Sequence, residues 1–135
     1  MLKRAAMIVG VVFVVVGVLG FVEAVAPPGA DGEALLFGLF AVNATHNAVH
    51  LLSGIVALIV GVRSEDASAI YFRALGVIYS LVAVAGLFVG SGTLMGMAHN
   101  RADLVLHALV AVAALYLGFA RGSSHPAQQP PRHAA

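Results

Sequence analysis

The sequence predicts an all-α membrane protein, a four-transmembrane-helix bundle built from a duplicated two-helix hairpin, with both termini cytoplasmic. Of its 135 residues, 61% are hydrophobic and only 10% are charged, whereas average soluble domains carry about 25% charged residues. Four apolar stretches approach the roughly 20 residues that a helix needs to cross the hydrocarbon core. In addition, a polar motif at the head of the second stretch recurs at the head of the fourth.

The four predicted spans cover residues 5–22, 46–62, 70–89 and 104–120. Lys3 and Arg4 ahead of the first span resemble a secretory signal. However, the apolar run is longer than a signal core, and Pro27 follows the only cleavage-like site, so we expect this helix to be retained.

The segments between the spans are short and rich in turn-forming residues. Residues 27–32 form a loop, and residues 63–66 form a polar turn. Residues 33–42 are amphipathic and too short to span a membrane, so we expect them to lie along the interface or dip into it. Residues 90–92, Gly-Ser-Gly, end the third span.

The basic residues predict the orientation of the spans. Six of the seven Lys and Arg residues fall at the N-terminus, in the second connection or near the C-terminus, and only Arg101 falls on the other side. Because cytoplasmic loops are enriched in these residues, we expect both termini in the cytoplasm and the heads of the second and fourth spans facing outward. The expected location is the plasma (inner) membrane, which the chain crosses several times. Residues 1–121 are the predicted transmembrane domain, and residues 122–135 are a predicted disordered cytoplasmic tail.

The repeated motif is N-x2-[H/D]-x3-H-x10-G, and its two copies lie 57 residues apart. A second similarity joins residues 10–20 to residues 76–86. Together they indicate a duplicated two-helix hairpin. The residues of the first motif copy and then of the second are Asn43, His46, His50 and Gly61, and Asn100, Asp103, His107 and Gly118.

Each histidine heads a stripe of small residues, because positions four apart share a helix face. Small residues let membrane helices approach closely, so the stripes and the histidines should face the bundle interior. His50 and His107 should then lie at equal depth on the outward side. Ionisable groups at such positions are costly, which raises a functional question.

The first interpretation of this His/Asp cluster is a bound transition metal, namely zinc, copper or iron, because imidazole is a common ligand for all three. His99 lies one turn before Asp103. Met95 and Met97 add thioethers that favour copper if this segment is extended and exposed, and the alternative is that both fill an apolar loop. A related interpretation is a b-type haem with His50 and His107 as its two axial ligands. The predicted metal ligands are His46, His50, Asp103, His107 and His99.

The alternative interpretation is structural. Asn43 and Asn100 are suitable N-caps, with His46 and Asp103 three residues further on, where a reciprocal cap can form. The cluster would then be a hydrogen-bond network within a non-catalytic membrane scaffold or interaction protein. A small transporter subunit is a third interpretation.

The composition limits the other functional classes. Net charge is +1 and cysteine is absent, so nothing indicates nucleic-acid binding, disulfides or thiolate ligands. No nucleophile with its base, phosphate loop or dinucleotide motif is present, and we therefore expect no enzyme. The predicted partners are the lipid bilayer and either a second copy or another membrane protein.

Residues 38–54, GLFAVNATHNAVHLLSG, resemble the signature of the uncharacterised domain-of-unknown-function 4383 family, small four-helix bacterial membrane proteins. The second motif, from Asn100 to His107, is similar to the family's later pattern, and residues 10–21 are similar to its first helix. The chain departs from that pattern at residues 97–99, where the family has an apolar residue. The resemblance implies the fold and topology and implies no activity.

Overall fold

A computed structural model describes residues 1–29 and 33–119, so the predicted tail lies outside the described residues. The described residues form four helices and two small antiparallel sheets. The helices are α1 (Leu2–Leu19), α2 (Ala44–Arg63), α3 (Glu65–Val89) and α4 (Arg101–Phe119), and the strands are β1 (Ala34–Leu36), β2 (Phe40–Val42), β3 (Gly92–Leu94) and β4 (Met97–His99).

All four helices are long and apolar enough to cross a membrane. Large apolar side chains are exposed along each of them, among them Ile8 on α1, Leu52 on α2, Leu81 on α3 and Val112 on α4. A surface of this kind is compatible with contact with lipid. These observations agree with the prediction of a multi-pass membrane protein.

All four helices begin before their predicted spans, which started at residues 5, 46, 70 and 104. Capping side chains set the beginning of α2 and α3. Asn43 caps α2, where its side chain accepts a hydrogen bond from the backbone of His46. Ser64 alone separates α2 from α3, and it caps α3 by accepting a hydrogen bond from Ala67 N at 3.0 Å. Helix α1 ends at Leu19, three residues before the predicted end of its span.

Residues 33–42 contain a β-hairpin, in which Ala34 pairs with Val42 and Leu36 with Phe40. A second hairpin fills the connection between α3 and α4, where Leu94 pairs with Met97. Its two-residue turn places both Met95 and Gly96 at positive φ, 53° and 81°, as a type I′ turn requires. One β-hairpin therefore joins α1 to α2, and the other joins α3 to α4.

Helices α1 and α2 pack closely, and so do α3 and α4, because small residues line each contact. A methyl group built on Gly54 would lie 2.9 Å from Gly10 O and 2.8 Å from Val14 N. On α4, one built on Gly118 would lie 2.8 Å from the backbone nitrogen of Arg73. The predicted inward-facing stripe is confirmed, since Gly54, Ala57, Gly61, Ala111, Ala114 and Gly118 are buried.

We call α1 and α2, with the β-hairpin that connects them, the first helix pair. Helices α3 and α4, with their β-hairpin, are the second helix pair. In the bundle, the pairs meet through buried aromatic residues, with the rings of Phe13 and Tyr79 stacked at 6.0 Å. Phe72 lies in the same apolar core and is 1% exposed. At one end of the bundle the two β-hairpins also contact each other. The motif residues lie at this end.

Candidate functional site

The five predicted metal-ligand side chains are all buried at the end of the bundle that carries the β-hairpins, and His99 is the last residue of β4. Their exposed fractions are 4% for His46, 9% for His50, 3% for His99, 2% for Asp103 and 8% for His107. The sequence-based expectation that these groups face the interior is therefore confirmed. They divide into two layers according to their contacts.

The layer nearer the hairpins contains Asn43, His46, Asn100 and Asp103, and we call these four residues the polar junction. Asn43 Nδ2 donates to Gly96 O at 3.0 Å. Asn100 Nδ2 donates to Leu39 O at 2.9 Å. Each asparagine thus bonds the turn of the β-hairpin that belongs to the other helix pair.

The other two residues of the polar junction also bond the opposite hairpin. His46 Nδ1 lies 2.8 Å from Ala98 O, and because a carbonyl only accepts, the ring nitrogen donates. Asp103 Oδ2 accepts from Ala41 N at 3.0 Å. Ala41 belongs to β2 and Ala98 to β4, so the four bonds link both helix pairs in both directions.

The same side chains cap their own helices, as the sequence predicted. Asn43 Oδ1 accepts from His46 N at 2.9 Å, and Asn100 Oδ1 accepts from Ala102 N and Asp103 N at 2.9 and 3.1 Å. The reciprocal bond exists on α4, where Asp103 Oδ2 accepts from Asn100 N at 2.9 Å. On α2 the equivalent side chain, His46, bonds the opposite hairpin and does not return to Asn43.

The second layer is a chain of imidazoles. The ring of His46 stacks on that of His50 at 4.8 Å and lies 5.9 Å from that of His107. The ring of His107 in turn lies 6.0 Å from that of His99, with an interplanar angle of 21°. The structure therefore brings together residues from α2, β4 and α4.

Two aromatic residues absent from the predicted site complete this layer. Phe13 contacts His50 edge-on at 5.4 Å, and Tyr79 contacts His107 edge-on at 5.1 Å. The signal for both was present in the sequence, because Phe13 and Tyr79 occupy the same place in the similar segments 10–20 and 76–86. They support the histidines from α1 and α3.

Asn47 is a third residue that the sequence interpretation missed. It is 2% exposed, and its side chain lies directly over Gly20, where a methyl group would overlap its amide. Gly86 leaves space for the side chain of His99 in the same way, since a methyl group there would lie 2.7 Å from the imidazole Nε2. The two glycines leave room for polar side chains beside α1 and α3.

A cavity of about 80 Å³ lies among the imidazoles, and we call it the imidazole cavity. Its polar and sulfur-bearing lining residues are His46, His50, Tyr79, Met97, His99 and His107. Within residues 1–29 and 33–119, two buried ring nitrogens lack a hydrogen-bond partner, namely His99 Nε2 and His107 Nδ1.

The described residues contain no group of three or more His, Cys, Asp or Glu side chains arranged to hold a metal ion. Asp103 does not line the imidazole cavity, and Met95 is 83% exposed. The cavity is also small for a haem, since pockets for drug-sized ligands are about 300–1,000 Å³. The five-ligand metal site remains a prediction, and this geometry gives it little support.

Four apolar helices with a buried polar cluster at one end define a small multi-pass membrane protein. The chain matches the family described as "Domain of unknown function (DUF4383)" over residues 3–120. It therefore belongs to that family, as its motifs indicated. No curated protein and no solved structure matches the chain.

Proposed function

We propose that this protein is a non-catalytic membrane scaffold whose polar junction fixes two duplicated helix pairs in one arrangement. The observation that supports this most is the reciprocal bonding of Asn43 and Asn100. Each residue caps its own helix and also donates to the hairpin of the other pair. One set of side chains thus forms both the helix ends and the contact between pairs.

The spacing of these contacts supports the duplication. The donors Asn43 and Asn100 are 57 residues apart, and so are their acceptors Leu39 and Gly96. An internal duplication accounts for equal spacing on both sides of the contact, because each copy supplies one donor and one acceptor. Such an arrangement has a pseudo-twofold axis along the membrane normal.

The positions of the charges support an orientation with the polar junction outward. Lys3 and Arg4 begin α1 and Arg63 ends α2, at the end of the bundle opposite the β-hairpins. With basic residues on the cytoplasmic side of the plasma membrane, both hairpins lie at the outer surface. Their exposed apolar tips, Phe37 and Met95, are then the surface offered to a membrane partner or a second copy.

The test is the unfolding free energy of purified, chelator-treated protein, so that no bound ion contributes. Asn43→Ser and Asn100→Ser keep a capping oxygen and remove the amide donor. Each variant is expected to lose about 0.6 kcal/mol, the average for a side-chain hydrogen bond in a membrane protein.

Ser64→Asn is the matched control, because it exchanges the same two residue types at the cap of α3, where the side chain accepts a hydrogen bond from Ala67 within its own helix. Its unfolding free energy should equal that of the wild type. If Asn43→Ser and Asn100→Ser behave like this control, the polar junction does not hold the helix pairs together and the proposal is wrong.

A further inference from the structure

We propose that the imidazole cavity binds one cuprous ion through His99 Nε2 and His107 Nδ1, with the thioether of Met97 as a third ligand. This binding activity is separate from the structural role of the polar junction. It uses Met97, His99 and His107, whereas the bonds between the helix pairs use the side chains of the polar junction.

The two unpaired nitrogens are the first line of support. His99 and His107 are more than nine-tenths buried and line the same cavity. Within the described part of the chain, His99 Nε2 and His107 Nδ1 have no hydrogen-bond partner. Leaving such groups unpaired in an apolar interior is costly, and coordination of an ion would satisfy both.

The surroundings of His99 are those of a metal ligand. Its Nδ1 donates to Gly90 O at 3.1 Å, so the lone pair of the neutral ring lies on Nε2. Metal-ligating histidines usually make such a bond with their other nitrogen, which fixes the tautomer and the ring orientation. Gly86 leaves the space in which this ring lies, since a methyl group there would be 2.7 Å from Nε2.

The separation of the two rings suits one shared ion. Their centroids are 6.0 Å apart, longer than close stacking. Two metal–nitrogen bonds of about 2.0 Å, together with ring radii of about 1.1 Å, place two centroids roughly 6 Å apart when the ligands are nearly opposed.

The donor set selects the cuprous ion. Among the described residues, the lining of the cavity includes imidazoles and a thioether but no carboxylate. Because neutral donors in an apolar interior do not compensate a second positive charge, a monovalent ion has the smaller desolvation cost. Thioether sulfur also favours Cu(I), and cuprous ions accept the low coordination number that two imidazoles and Met97 provide.

The test is an anaerobic titration of detergent-purified full-length protein with Cu(I), in competition with a chromophoric cuprous chelator. His125 and His133 are replaced by Ala in every sample, so that these additional histidines cannot bind the ion. We expect one Cu(I) per chain, and X-ray absorption should show two nitrogen scatterers and one sulfur scatterer. Absence of stoichiometric binding, or of the sulfur, overturns the proposal.

Matched variants locate the site. His99→Gln and His107→Gln should abolish stoichiometric binding. Met97→Leu should weaken it by about tenfold or more, and Met95→Leu, at the exposed turn, should leave it unchanged. Equal binding by all four variants contradicts the proposal, and so does tighter binding of Zn²⁺ than of Cu(I).

Two further variants separate this site from folding and from the polar junction. Gly86→Ala should weaken Cu(I) binding, because its methyl group displaces the His99 ring. Asn43→Ser should bind Cu(I) like the wild type even where it lowers stability. Circular dichroism establishes whether each variant keeps its helices. If a variant unfolds, the X-ray absorption spectrum of the protein with an unaltered site still shows whether a sulfur atom binds Cu(I).

Discussion

Asn43 and Asn100 make the same pair of interactions in opposite directions across the bundle. Each accepts from the first turn of its own helix, and each donates to a carbonyl in the other helix pair, Gly96 O at 3.0 Å and Leu39 O at 2.9 Å. The caps and the contact between helix pairs are therefore not independent. A change at either asparagine affects both.

This relationship predicts energetic coupling between the two residues. Because both bonds close one junction, the double variant Asn43→Ser/Asn100→Ser should cost less than the sum of the single variants, by about 0.5 kcal/mol or more. Equilibrium unfolding of the four proteins measures the difference. Asn43→Ser combined with Ser64→Asn is the control pair and should be additive. Additivity in both pairs would show that the two bonds act separately.

Asp103→Asn tests the charge in the polar junction. Asp103 Oδ2 accepts from both Ala41 N and Asn100 N, and hydrogen bonds to charged groups are stronger than those between neutral groups. We expect a loss of about 1 kcal/mol in the unfolding free energy. Asp66→Asn, at the exposed start of α3, is the control and should change little. A more stable Asp103→Asn protein would show that burial of the carboxyl group outweighs its bonds.

Gly54→Ala tests the close packing of the first helix pair. The added methyl group would lie 2.9 Å from Gly10 O and 2.8 Å from Val14 N, so α1 and α2 must separate. Overpacking of this kind costs about 1–3 kcal/mol. Ala48→Val enlarges an exposed position of the same helix and should have a much smaller effect. Equal stability of Gly54→Ala and wild type would contradict the close approach of the two helices.

The proposed orientation predicts which residues can be labelled from outside an intact cell. The chain has no native cysteine, so Met95→Cys and Asp66→Cys each introduce a single thiol. A membrane-impermeant maleimide should label Met95→Cys in intact cells and Asp66→Cys only after permeabilisation. The reverse pattern would place both termini outside the cell and the polar junction on the cytoplasmic side of the membrane.

Much of this fold could be predicted because composition and spacing determine it. Four apolar runs, helix caps and small-residue stripes carry strong local signals, and the histidines follow from their place on those stripes. The β-hairpins could not be predicted in the same way. Strands of three residues, such as Ala34–Leu36, are too short to show a period of two.

The sequence could predict which side chains form the site, but it could not predict which groups they bond. Backbone atoms of Leu39, Ala41, Gly96 and Ala98 accept or donate the bonds of the polar junction, and nothing in a residue's identity marks its main chain as a partner. The sequence therefore left metal binding and a structural network open for His46 and Asp103. The bonds to the opposite hairpins favour the network for these two residues.

The most direct test of the central claim is the distance between the two β-hairpins, measured by electron paramagnetic resonance. Spin labels at Leu39→Cys and Met95→Cys occupy exposed positions in the two turns, and no other cysteine interferes. If the polar junction holds the helix pairs in one arrangement, the distance distribution is single and narrow, and it broadens when Asn43→Ser and Asn100→Ser are added. A distribution that is already broad, or one that the two substitutions leave unchanged, would contradict it.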